Sequence, residues 1–134
     1  MARRDSREQA FILMFEKSFQ KDISMKEMID INLENEIIEN DDFAQELAIK
    51  ACDNIEEIDS NIEKFSIARK MNRISKVSLS VLRIAICEML YYNDIPCGVS
   101  INEAVEICKK YASEDEYAFV NGLLGSLARS LEGK

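Results

Sequence analysis

The chain has 134 residues, 47% of them hydrophobic, enough for one compact domain whose core needs neither disulfides nor a bound metal. It has no histidine, so a Ser-His-Asp triad, a histidine general base and His-ligated zinc are excluded, and hydrolases of the usual kinds with them. The net charge of -8 speaks against a nucleic-acid ligand only as an average: residues 25–63 carry thirteen acids against Lys26 and Lys50, whereas residues 64–83 carry six bases and no acid.

One proline and four glycines leave few turn signals for strands, while Leu, Ile, Met, Glu and Lys abound, so the predicted fold class is all-α. Cys52, Cys87, Cys97 and Cys108 form no CxxC pair and read as reduced thiols rather than metal ligands. Residues 1–20 lack the apolar centre of a signal peptide, and no run approaches the roughly 18 apolar residues of a membrane span. The chain is expected to be soluble, untargeted and cytoplasmic, with no membrane partner.

The first helix is announced by Asp5 with Glu8 three residues on, the spacing of a capping box, and is expected to run to about Lys21. Phe11, Met14, Phe15 and Ser18 share a face, and Ile12 and Leu13 widen the apolar surface beyond one stripe, so this helix needs cover on more than one side. Ser24 and Glu27 start a second helix, in which Met25, Met28, Ile29 and Leu33 keep helical spacing and which frays towards Asn40. A third, capped by Asp41 or Asp42 with Gln45 in the reciprocal place, sets Phe43, Leu47, Ala51 and Ile55 four apart and continues to Glu57. A short fourth around residues 61–68 offers Ile62, Phe65 and Ile67 to the core. The basic run from Met71 to Lys76 then leads into Val81 to Tyr92, where only Arg83 and Glu88 are charged. A helix this apolar all round is expected at the centre of the fold. Either Ser75 or Ser78 caps it, and it ends before Ile95 and Pro96, because the residue ahead of a proline is driven out of helical geometry. Ser100 with Glu103, and Ser113 with Glu116, repeat the capping-box spacing for two last helices. The first has Ile101, Ala104, Val105, Cys108 and Ala112 on its stripe, the second Val120, Leu123, Leu124, Leu127 and Leu131. Seven helices with short connections make a helical bundle without linker or internal repeat.

Some residues fit packing alone poorly. Arg3, Arg4 and Arg7 crowd the head of the first helix, where the partial positive charge disfavours a cation by about 0.3–1 kcal/mol each. Exposed amides and guanidinium groups together suit a polyanion, although solvated arginines on a frayed terminus have the same pattern. Phe119 lies about 100° from Val120, at the margin of the last stripe, which suits base stacking. Gly122 and Gly125 on the outer side would let a ligand approach closely. Ordinary burial is the competing reading for Phe119. The basic run over residues 64–83 is either a solvated face or a further nucleic-acid patch. Tyr91, Tyr92, Tyr111 and Tyr117 suit a core margin and specify no site. Glu88 is expected to pair with a base such as Arg83 or to reach the surface. No Gly-rich phosphate loop, HEXXH or calcium-loop pattern occurs, so no catalytic residue, cofactor or metal is assigned.

RRDSREQAFILMF near the start, VLRIAICEML in the centre and DIPCGVSINEAVEICKKYASEDEYAFVNGLLGSLA together resemble the NusB family of bacterial transcription antitermination factors over essentially the whole chain. The most specific part is INEAVEI followed by FVNGLL, which begins eighteen residues after Ile101. The resemblance implies an all-helical fold of two small bundles and a non-enzymatic role. Such proteins bind the boxA element of ribosomal RNA leaders as a heterodimer with NusE, the ribosomal small-subunit protein that doubles as a transcription factor. They then join the RNA polymerase antitermination complex and suppress premature termination. Carried over position by position, the family's RNA contacts fall on Arg3, Arg4, Arg7, Phe15 and Phe119, and its partner contacts on Ser78 and Asp115. Asp5 and Ser6 interrupt the arginine cluster where relatives can be more basic. Phe15 stands where some relatives have tyrosine, and Ser78 where an acid can occur. Both homodimers and monomers belong to the family, so a homodimer stays open.

Two other readings compete. One is the RNA-binding module associated with ribosomal RNA methylation, but no Gly-rich nucleotide segment is present, so the methyltransferase would be a separate chain. The other is a purely protein-binding helical scaffold, which the net charge favours.

Overall fold

Ser75 starts the helix on which the others are built. Its side chain accepts the amide of Ser78, and α5 (Lys76–Tyr91) follows. Within α5, Val81, Leu82, Ile86 and Cys87 are all but sealed from solvent, and each large apolar side chain so buried contributes about 1.5–3 kcal/mol. The computed structural model describes residues 2–133. Around α5 it sets α1 (Arg3–Lys17), α2 (Met25–Glu34), α3 (Asp42–Asp53), α4 (Ile55–Phe65), α6 (Cys97–Tyr111) and α7 (Glu114–Glu132), with a 3-10 turn at Met71–Arg73 and no strand among the described residues. The chain is thus all-α. Helices α1, α2 and α3 pack on one another and present α1 and α3 to α5, while α4, α6 and α7 cover its other sides. These two small bundles share α5 and one continuous core.

Besides that of Ser75, two more of the expected caps form. The Ser24 side chain accepts the Glu27 amide, and Asp41, rather than Asp42, accepts that of Ala44. Gln45 does not return the bond to Asp41 but donates to Asn40. Helix α2 stops where Glu36 takes a left-handed φ of 57° and the Ile37 amide reaches back to the Asn32 carbonyl at 2.9 Å, a Schellman-type ending.

Elsewhere the expected boundaries shift. Helix α1 begins after Ala2, so Asp5 lies inside the first turn and caps nothing. The same helix ends at Lys17, not Lys21, with the Lys17 ammonium folded onto the Lys21 carbonyl. Asn54, at φ -117° and ψ 26°, divides the expected long third helix, and α4 runs from Ile55 to Phe65, so Ile67 lies past its end and is exposed rather than in the core. Pro96 leads directly into α6, so Ser100 is not its cap. Ser113 stands at the head of α7 without a side-chain capping bond.

Candidate nucleic-acid interface

The three N-terminal arginines have different surroundings. Arg3 is exposed, with its guanidinium 3.8 Å from the centre of the Phe43 ring. Arg4 is exposed and pairs with Glu103 at 3.0 Å. Arg7 is only 6% exposed and donates to Glu88, which is 1% exposed and also accepts the Ser100 hydroxyl at 2.7 Å. The expectation for Arg7 is therefore corrected, since it faces the interior rather than a phosphate, while Glu88 pairs with a base as expected, but that base is Arg7 and not Arg83. Arg83 instead makes a two-pronged pair with Asp59 at 2.9 and 2.8 Å.

Phe15 and Phe119 belong to the other end of the molecule. About 18 Å of helix axis separates Arg3 from Phe15, at 1.5 Å per residue. Phe119 is half-buried on α7, and the Arg69 guanidinium sits 4.3 Å from its ring centre. Arg69 is held there by Glu116, which also accepts the Ser75 hydroxyl at 2.6 Å and the Ser78 hydroxyl at 3.0 Å. Next to Ser75, Lys76 places its ammonium 5.0 Å from the Phe19 ring. Phe19, 61% exposed, meets Phe15 edge to face at 5.1 Å. Contacts thus run without a gap from Phe119 through Arg69, Glu116, Ser75 and the neighbouring Lys76 to Phe19 and Phe15. Exposed Lys64, Lys70 and Arg73 add charge on the same basic segment. Gly122 is exposed, and a Cβ added there meets nothing within 4 Å, so no contact inside the chain requires glycine.

Ser78 is 0% exposed. Its side chain cannot meet a partner directly, because the hydroxyl is turned inward onto Glu116, and the expectation of a contact there is corrected to support of the α5 start. Asp115 is exposed in the first turn of α7. Sequence reasoning missed Phe19 and Glu116 as parts of this band. The basic run pointed to Arg69 and Lys76, and the four-residue step from Phe15 could have found Phe19, but no local spacing marks Glu116, whose side chain bridges helices.

The Ser75 hydroxyl and the Arg69 guanidinium hold the Glu116 carboxyl below its ordinary range against a smaller opposing effect of burial. A depressed folded pKa stabilises the fold fully above the unfolded value of 4.5 and loses that contribution as the pH falls through the folded value. The urea midpoint is therefore expected to drop on acidification below this range, and Glu116→Gln is expected to flatten part of that slope. An unchanged slope in the variant would mean that Glu116 takes no part.

The four cysteines are free thiols. Burial pushes Cys87 and Cys108 up to about 12. No group of three or more His, Cys, Asp or Glu that could hold a metal occurs among the described residues, and no helix there is long and apolar enough to cross a membrane.

The sequence profile of the NusB family matches residues 4–129. A transcription antitermination protein NusB from Clostridium acetobutylicum is 46% identical over the full length of both chains. One from Acetivibrio thermocellus is 46% identical over 96% of this chain and 90% of its own. Among solved structures, NusB of T. maritima superposes with a TM-score of 0.82 at 33% identity, covering 96% of this chain and 92% of that one. A crystal structure of the antitermination factors NusB and NusE in complex with dsRNA superposes with a TM-score of 0.83 at 29% identity, covering 96% of each chain.

Proposed function

Because the chain belongs to the NusB family, we propose that it is a cytoplasmic transcription antitermination factor, not an enzyme, and binds RNA together with NusE. The observation that carries this reading is the band from Phe119 to Phe15, where half-covered or exposed aromatic rings, Phe119 at one end and Phe19 with Phe15 at the other, flank the cations Arg69 and Lys76. Aromatic faces stack on bases whatever their identity, and lysine or arginine groups between them neutralise phosphates. The proposed ligand is a boxA-type single-stranded element of ribosomal RNA transcripts, and the complex then joins RNA polymerase to suppress premature termination. Arg3 and Arg4 serve as a second, outlying anchor for the strand. Asp115 and the surface beside the α5 start face NusE.

The test is a titration at several salt concentrations against boxA RNA, single-stranded and as a duplex, with and without NusE. The duplex arm is needed because the solved NusB and NusE complex holds dsRNA. Neutralising three phosphates gives a logarithmic salt slope of about -2 on a single strand. Replacing Lys70 and Arg73 together by glutamine removes about 1.4 of that slope if both meet phosphates. A slope near zero would remove the cationic band from the mechanism. Binding to NusE with no RNA bound in any arm would leave the protein-binding scaffold as the function.

A further inference from the structure

Beside the aromatic band lies a groove of about 400 Å³, between the end of α1, the start of α5 and the junction of α3 with α4. Met14, Leu79 and Ile55 give it an apolar floor, and Lys17, Lys21 and Lys76 stand around it. The lysines owe their convergence to local geometry. Met14 and Lys17 are three residues apart on α1, Lys21 lies beyond the helix end, where its carbonyl accepts the Lys17 ammonium, and Lys76 and Leu79 are one helical turn apart on α5.

The charge of the groove is unbalanced. Arg83, also at its edge, is neutralised by Asp59, but no carboxylate lies within 4.0 Å of the ammonium groups of Lys17, Lys21 or Lys76 among the described residues. Lys17 donates only to neutral carbonyls, those of Gln20 and Lys21. Three cations around an apolar floor fit a ligand that is anionic at one end and flat and apolar at the other. The volume falls within the range of small-molecule pockets, about 300–1,000 Å³. Lys76 joins this groove to the band, since its ammonium also faces Phe19.

We propose that the groove takes one unstacked nucleotide of the bound RNA, with its phosphate among Lys17, Lys21 and Lys76 and its base against Met14, Leu79 and Ile55. The proposal rests on the RNA-binding reading above. It gives the band a sequence-sensing position: bases stacked on Phe19 or Phe119 are exchangeable, whereas one enclosed by the groove is limited in size and shape.

Cys52 lines the same groove and serves as a native reporter. Burial raises its thiol pKa, so alkylation is slow but measurable. Cys97, half-buried at the start of α6, is an internal reference. Alkylation of the full chain, followed site by site by mass spectrometry, is compared without ligand, with single-stranded boxA RNA and with uridine monophosphate. With RNA at ten times its Kd, mass action is expected to slow the Cys52 reaction about tenfold, with Cys97 unchanged. Lys17→Gln with Lys21→Gln, the first half-buried and the second exposed, is expected to restore the Cys52 rate and remove about 1.4 of the salt slope in a protein whose circular dichroism is unchanged. RNA binding with no protection of Cys52 would overturn the groove and leave the RNA-binding reading standing. Absence of RNA binding under all conditions would overturn that reading and the groove with it. Protection by uridine monophosphate but not by RNA would assign the groove to a free nucleotide and overturn its place in the RNA path.

Discussion

Replacing Glu88 by alanine is expected to lower the unfolding free energy by about 3–5 kcal/mol, the usual consequence of removing one member of a buried ion pair. Glu88 lies on α5, Arg7 on α1 and Ser100 on α6, and all three side chains are buried. Alanine would leave the Arg7 guanidinium charged with nothing opposite it and the Ser100 hydroxyl without its acceptor, both away from water. Urea unfolding monitored by circular dichroism gives the number. A loss below about 1 kcal/mol would place the pair in the class of solvent-screened bridges, against its burial. The double variant Arg7→Met with Glu88→Leu separates pairing from packing. It removes both desolvation costs and keeps the volume roughly filled, so most of the lost stability is expected to return. If Arg7 acts only inside the protein, this variant also binds RNA with unchanged affinity. A large loss of affinity in the folded double variant would return Arg7 to the RNA interface.

The same triad shows why parts of the architecture were legible in the sequence and others were not. The centrality of α5 follows from a run with no polar face, and the caps at Ser24, Asp41 and Ser75 need only a side chain and an amide three residues away. Asp5 with Glu8 and Ser100 with Glu103 have the same local spacing, yet their side chains are not used locally. Ser100 turns to Glu88 on another helix, Glu103 to Arg4 at a separation of 99 residues, and Glu8 to Lys110 and Tyr111. Such partners are set by how helices cross, which periodicity does not encode. The candidate site divides in the same way. Arg3, Arg4, Phe15 and Phe119 stand out by residue type, and all four keep some exposure. The separation of Arg3 and Arg4 from Phe15 follows from their positions along one helix, whereas the place of Phe119, on α7, depends on packing. Phe19 continues the line of Phe11 and Phe15 at four-residue spacing and touches Phe15 at 5.1 Å, but the arrival of Lys76 beside it from α5 is set by packing.

Phe119→Ala is expected to weaken RNA binding by about 1–3 kcal/mol, the range measured for aromatic platforms under single-stranded bases. The ring is half-buried, and the Arg69 guanidinium covers one of its faces at 4.3 Å. A base reaching this point stacks on the free side of the ring or against the outer side of the guanidinium. Alanine removes both platforms: it deletes the ring and leaves Arg69 tethered only through Glu116. Some loss of packing follows as well, since Phe119 rests against the edge of the core. Phe119→Leu keeps much of that apolar contact but has no π face, so it is expected to restore stability without restoring RNA affinity. If leucine recovers both together, or if alanine leaves affinity unchanged in a folded protein, Phe119 is a packing residue and the base platform at that end of the band is absent. Arg69→Gln completes the comparison. It keeps a planar group near the ring but loses the charge, so its defect is expected to shrink at high salt, where phosphate attraction is screened, while the defect of Phe119→Ala persists.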